Sequence, residues 1–261
     1  MLELVGHCPF SEIIRLHCKL IACEVVAREV CYCASRARNT VDIELFTQGL
    51  HDNADSCRAT LQERINAADP AKFQAVLLAY GLCNNALVGI RAGRVKMVVP
   101  RAHDCITFLL GSKERYAREF SEHPGTYYYS AGWLEYPGRG GERIPYNQKS
   151  GLAKRMAYEE LARKYGEENA QFIQEIMSGW QQHYTRGACV EFPFYSHLGI
   201  SAQVNEICLQ NGWSYADVPG DIGLLQGFLD GAWDDDRFLT LEPGQAIRAD
   251  YGDKIVDVAA E

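Results

Sequence analysis

The sequence predicts an α/β protein: an open, doubly wound, mostly parallel sheet or sheets, built as two Rossmann-like lobes or as one lobe with a helical insertion. Two observations carry this. Short apolar runs alternate along the chain with amphipathic segments of helical period, the rhythm of strands joined by crossover helices. The clearest runs, residues 75–80 (AVLLAY) and 96–100 (KMVVP), are apolar throughout, as in strands covered on both faces.

The elements follow in order. Residues 19–22 (KLIA) read as a buried strand, and 24–32 as a helix with Val26 and Val30 on one face. Residues 41–46 (VDIELF) alternate as a second strand; 56–68 form a helix with Leu61 and Ile65 inward and Asp55 or Ser56 as N-cap. After the two apolar strands, a helical region at 104–120 is broken by Gly111 and restarted by Ser112 as a cap. Residues 126–133 (TYYYSAGW) are extended and aromatic, able either to wall a pocket or to pack an edge strand. The stretch 136–145 holds three Gly and two Pro and reads as a linker. It sets a division into 1–145, an α/β lobe with the Cys- and His-bearing loops, and 146–261, a helical pair followed by a second α/β lobe. The pair is 152–165 and 167–184, whose Phe172, Ile176, Trp180 and Tyr184 make a core stripe. The tail reads as strand 189–195, helix 201–211 stopped by Gly212, strand 213–218, helix 221–230 stopped by Gly231, and strand 237–241.

With 261 residues, 47% of them hydrophobic and 23% charged, the chain can bury one large core or two modest ones. No apolar run reaches the ~18 residues of a membrane span, and the N-terminus lacks the pattern of an export signal, so a cytoplasmic protein is expected. A formal charge of -8 speaks against nucleic acid or an anionic membrane as partner. No GxGxxG turn or P-loop occurs, so neither NAD nor ATP is expected.

In an open parallel sheet, ligands bind beyond the carboxyl ends of the strands. Cys23 and Glu24 follow the first predicted strand, Gln48 to Asp52 the second, Tyr80 to Asn85 the third, and Arg101 to Cys105 the fourth. Of the ten cysteines, Cys23, Cys83 and Cys105 fall in these loops. Three thiolates from separate strand ends can hold Zn²⁺, or three irons of a [4Fe-4S] cluster, with one position left open. His103 can replace a thiolate or move protons, and His51 approaches from the neighbouring loop. Arg101 can fork onto a substrate carboxylate or phosphate, Asp104 can orient His103 or cap the next helix, and the expected substrate is a small anionic or thiol-containing molecule. Tyr80, Asn84, Gln48 and Trp133 complete the expected pocket. Two other readings stay open. The cysteines can be small buried hydrophobes at helix starts, since no CxxC occurs, or Cys83 or Cys105 can be a metal-free nucleophile beside His103. Cys8, Cys18, Cys31, Cys33, Cys57, Cys189 and Cys208 have no motif context and are read as packing residues. Asp234, Asp235 and Asp236 read as a solvated strand lead-in.

The runs ACE (22–24), QGLHD (48–52), YGLCNN (80–85), PRAHDCITFLLGSKERY (100–116), PGTYYYSAGW (124–133) and GDIGLLQGFLDGAWDDDRFLTLEPGQ (220–245) resemble the domain of unknown function 1638 family. The resemblance spans roughly residues 19–248, and its motifs contain Cys23, His51, Cys83, Arg101, His103, Asp104 and Cys105. Members are encoded near corrinoid-dependent methyltransferase systems. The resemblance therefore implies methyl- or sulfur-transfer chemistry linked to one-carbon metabolism, or an accessory role, with a corrinoid protein or methyltransferase as partner.

Overall fold

The computed structural model describes residues 15–47, 54–83, 85–135, 162–163, 166–167 and 184–259. In chain order these form β1 (His17–Cys23), a 3-10 turn (Glu24–Val26), α1 (Ala27–Arg36), β2 (Thr40–Phe46), α2 (Ala54–Asn66), β3 (Ala75–Ala79) and β4 (Met97–Pro100). Then come α3 (Cys105–Leu110), α4 (Lys113–Glu122), β5 (Thr126–Tyr129), α5 (Ala131–Leu134) and β6 (Arg186–Glu191). A 3-10 turn (Pro193–Leu198) leads to α6 (Ile200–Asn211), β7 (Ser214–Pro219), α7 (Gly223–Asp230), β8 (Phe238–Leu241), β9 (Ile247–Ala249) and β10 (Val256–Val258).

The expected α/β architecture is present as two parallel sheets. The first has the order β2-β1-β3-β4-β8, parallel from β2 to β4 and closed by antiparallel β8. The apolar runs earn its interior, since every residue of β3 and β4 is buried. The second sheet has the order β5-β6-β7, all parallel. In sequence the sheets interleave: β5 precedes residue 145 yet belongs to the second sheet, and after β7 the chain returns through α7, which packs on α1, to β8 on the open edge of β4. The hairpin β9-β10 was not read from the sequence. The predicted linker 136–145 and helices 152–165 and 167–184 fall almost wholly outside the described residues.

The break at residues 111–112 is where the sequence places it. Asp104 caps α3 by accepting from the Ile106 N–H, Gly111 takes φ +83, and Ser112 caps α4 by accepting from the Arg115 N–H. Elsewhere boundaries move for physical reasons. The predicted helix 24–32 begins as a tight 3-10 turn because neighbouring Val25 and Val26 are both buried, one in the core on each side of the first sheet. α2 starts at Ala54, so Asp55 lies inside its first turn, paired with Arg58 at 2.8 Å, and is not its cap. The extended run at 126–133 stops at Tyr129 because Ser130 caps α5, accepting from the Trp133 N–H. The strand expected at 189–195 ends at Glu191, before Pro193 opens its 3-10 turn.

The two sheets meet where α5 sits on the turn after Cys23. A Cβ at Gly132 would fall 2.0 Å from the Val25 carbonyl oxygen, so glycine is required there. The Arg28–Glu135 ion pair and a hydrogen bond from the Tyr195 hydroxyl to Glu29 Oε1 (2.7 Å) flank the contact. Among the described residues, no helix is long and apolar enough to cross a membrane.

Candidate functional site

β1, β3 and β4 are adjacent parallel strands, with Ala22 opposite Ala79 and Leu77 opposite Val98, so their carboxyl ends lie side by side. Each leads to a cysteine: Cys23 ends β1, Cys83 lies in the loop after β3, and Cys105 opens α3 after β4. The last two loops are zipped together, the Leu82 N–H donating to Ala102 O (2.9 Å) and the Cys83 N–H to His103 O (3.0 Å). Gly81 permits this approach, because a Cβ there would lie 2.5 Å from the Asp104 Cα. Cys83 itself adopts φ +37, a conformation uncommon for a residue with a side chain.

The three thiols are close enough to sense one another. Burial pushes Cys23 and Cys83 up to about 12, and Cys105 well above the ordinary thiol value. The Asp104 carboxylate adds to the rise at Cys83 and Cys105, and the thiolate of Cys23 would raise both further. Cys57, on α2 and read as a packing residue, joins them: buried, it acts on Cys23, Cys83 and Tyr80. The Tyr80 hydroxyl is buried among these sulfurs and has no hydrogen-bond partner among the described residues. Such an orphan inside a protein is costly and is a usual mark of a ligand or catalytic position. Among the described residues, no three His, Cys, Asp or Glu side chains are already arrayed to hold a metal ion.

Cys83 and Cys105 open onto a cavity of about 480 Å³ between the two sheets. Its walls are aromatic: Tyr116 and Phe120 from α4, Tyr127 and Tyr128 from β5, Trp133 from α5, and Tyr184. The segment 126–133 thus does both things its sequence allowed, since β5 is an edge strand and also a pocket wall. Asp104 lines the cavity and receives hydrogen bonds from the Tyr116 hydroxyl (3.0 Å) and the Ile106 N–H (2.9 Å). Burial raises its pKa against those bonds. His103 stacks on Tyr116 at 5.5 Å between ring centres. It also lines a second cavity, of about 400 Å³, beside the Lys113–Asp236 ion pair.

Arg101 corrects an expectation. Its guanidinium does not face the cavity: Nε donates to Asp235 O (2.8 Å), Nη2 to Asp235 Oδ1 (2.9 Å), and Nη1 to the carbonyls of Lys254 (3.3 Å) and Val256. It is a buried clamp joining the end of β4 to the C-terminal hairpin. Asp104 is the cap of α3. Gln48, His51 and Asn84 lie outside the described residues. Sequence reasoning missed the α4 wall. The signal for the wall was there, in the i, i+4 spacing of Tyr116 and Phe120 behind the Asp104 cap.

No curated protein and no solved structure matches the chain. A family model described as "Protein of unknown function (DUF1638)" matches residues 45–229. That stretch holds Cys57, Cys83, Asp104, Cys105 and the aromatic wall, and by this match the chain belongs to the DUF1638 family.

Proposed function

We propose that the crevice is the active site of a metal-dependent small-molecule enzyme whose centre, Zn²⁺ or a three-cysteine [4Fe-4S] cluster, is held by Cys23, Cys83 and Cys105. The observation that carries the reading is the meeting of three thiols and the unpartnered Tyr80 hydroxyl at the ends of adjacent parallel strands, beside a ligand-sized cavity. The donor set is soft and suits either centre. The thiols are protonated at neutral pH in the metal-free chain and are not arrayed around one point, so loading must draw them together and displace their protons. When bound, such a centre supplies Lewis acidity at one open position, which suits methyl- or sulfur-transfer chemistry. The chain's own groups do the rest: the Tyr80 hydroxyl offers a hydrogen bond beside the sulfurs, and His103 stands at the cavity wall able to move a proton. A metal-free thiolate nucleophile is the poorer reading, because burial and Asp104 both favour the protonated thiols.

Anaerobic purification after growth with iron and zinc, followed by metal analysis and a visible spectrum, tests this. Stoichiometric zinc or a broad cluster absorption is expected, lost in Cys83→Ser and Cys23→Ser and kept in Cys189→Ser. Neither metal in the wild type, or equal loading of all variants, overturns it.

A further inference from the structure

The cavity beside the thiols also has a charge and a shape. Its rings do not stack into one slot. Tyr127 meets Tyr184 at 89° with centres 5.1 Å apart and Trp133 at 64° and 6.1 Å, so this side is a corner of rings set at steep angles. Across from it on α4, Tyr116 and Phe120 run nearly parallel, 11° apart at 6.4 Å. Aromatic faces carry negative potential, and rings meeting at steep angles around one volume make the box that receives a rounded cation. The fixed charges agree. Asp104 is the carboxylate on the wall, His103 and His123 are its basic groups, and no Lys or Arg lines the cavity among the described residues. Arg101 is engaged by the C-terminal hairpin, and Arg186 by Glu119 at 3.7 Å and by Thr126 Oγ1 at 3.2 Å.

We propose that the cavity binds the head group of a small organic cation, a quaternary or methylated ammonium, held by the aromatic corner and the α4 rings with Asp104 as counter-charge. The proposal rests on the reading above only in taking this cavity as the substrate chamber; an anionic substrate would find no Lys or Arg on the described walls, with His103 and His123 as the basic groups there. Phe120 is two-thirds exposed, at 66%, which fits a rim residue that a bound head group covers.

The test uses the full chain, metal-free and with chelator present, so that it reads the cavity and not the centre. Tetramethylammonium and choline are titrated by calorimetry, with 3,3-dimethylbutan-1-ol as the neutral isostere of choline. Both cations are expected to bind in competition, and the neutral alcohol at least about tenfold more weakly. Phe120→Ala, at an exposed position, is expected to weaken choline about 3- to 30-fold without altering the circular dichroism spectrum, as is Tyr128→Leu. Equal binding of the alcohol makes the cavity a neutral apolar pocket and overturns the proposal, as does preferential binding of inorganic phosphate or binding of neither cation. Choline binding by a protein that loads no metal defeats the metal reading alone. Metal loading without choline binding defeats this one alone.

Discussion

Beyond β1, β3 and β4 lie Cys23 and, lining a cavity, Cys83, His103 and Cys105; beyond β6 lie Phe192, Phe194 and Tyr195, packed on one another, on Tyr32 and against Glu29. Parallel sheets of this kind present equivalent carboxyl ends, and either could have held a ligand. In the second sheet the end is plugged. Phe192 and Phe194 pack on Tyr195 with centres 5.6 and 4.9 Å away, steeply tilted. A Cβ at Gly220 would fall 2.3 Å from the Phe192 ring, so the glycine after β7 makes room for the plug. In the first sheet the corresponding volume is lined by thiols, a carboxylate and imidazole, with a buried hydroxyl left unpaired. The difference lies in side chains placed one to five residues past each strand, and topology has no part in it.

The sharpest way to break this comparison is Arg101, a residue at the open end that behaves as the plug does. Its side chain is 1% exposed while Asp235, its ion-pair partner, is 80% exposed, so the guanidinium carries most of the desolvation cost and relies on the carbonyls around it. Arg101→Met removes those bonds and takes the Nη1 donor from the buried Val256 carbonyl, while the Lys254 carbonyl keeps the Val256 N–H. A loss of about 3–5 kcal/mol in urea unfolding is expected. A variant of nearly wild-type stability would show the clamp to be dispensable and return Arg101 to the list of groups available for ligand.

The plugged end carries its own signature, in pH. Glu29 is buried beneath Tyr195, with Oε1 bonded to its hydroxyl and Oε2 unpartnered, and with Arg28, Glu135 and Cys33 as its charged or titratable neighbours. Burial raises its pKa from an ordinary value near 4.5 to about 7, against the Tyr195 hydrogen bond. The folded state therefore holds this proton more tightly than the unfolded state does. The associated stability is fully present below about pH 4.5, falls as pH rises to about 7, and is gone above it, a span of order 3 kcal/mol. Glu29→Gln keeps a hydrogen-bonding group without the charge. It should flatten the stability profile between those pH values and leave the protein more stable than wild type at pH 8. Identical profiles for the two proteins would mean that Glu29 is solvated in the fold.

Much of the open end was legible because its determinants are local. A strand apolar on both sides, then a cap and a glycine at the right spacing, identify β3, β4, α3 and α4 to within a residue or two, and with them the positions of Cys83, Asp104 and Cys105. What failed was long-range. Arg101 looks like a ligand in the sequence because its partners, Asp235 and the carbonyls of Lys254 and Val256, lie more than 130 residues away. The return of β8 to the first sheet is likewise decided by the exposed edge of β4, a partner that periodicity within residues 237–241 cannot name.

The smallest effect separates the two ends most directly. None of the residues of α4 is buried, so the helix that carries Tyr116 and Phe120 is held by its cap and by a few side-chain contacts, Tyr116 to Asp104 and Glu119 to Arg186. At its start the Ser112 hydroxyl accepts from the Arg115 N–H at 3.1 Å, and Ser112→Ala removes this cap at a cost of about 1 kcal/mol. The cost should be local. Amides of α4 are expected to exchange with solvent several-fold faster while those of β6 and α6 stay as they are, and choline binding should weaken in step with the loosened wall. Unchanged exchange in α4 would mean that its rings, and not its cap, hold the open end in place.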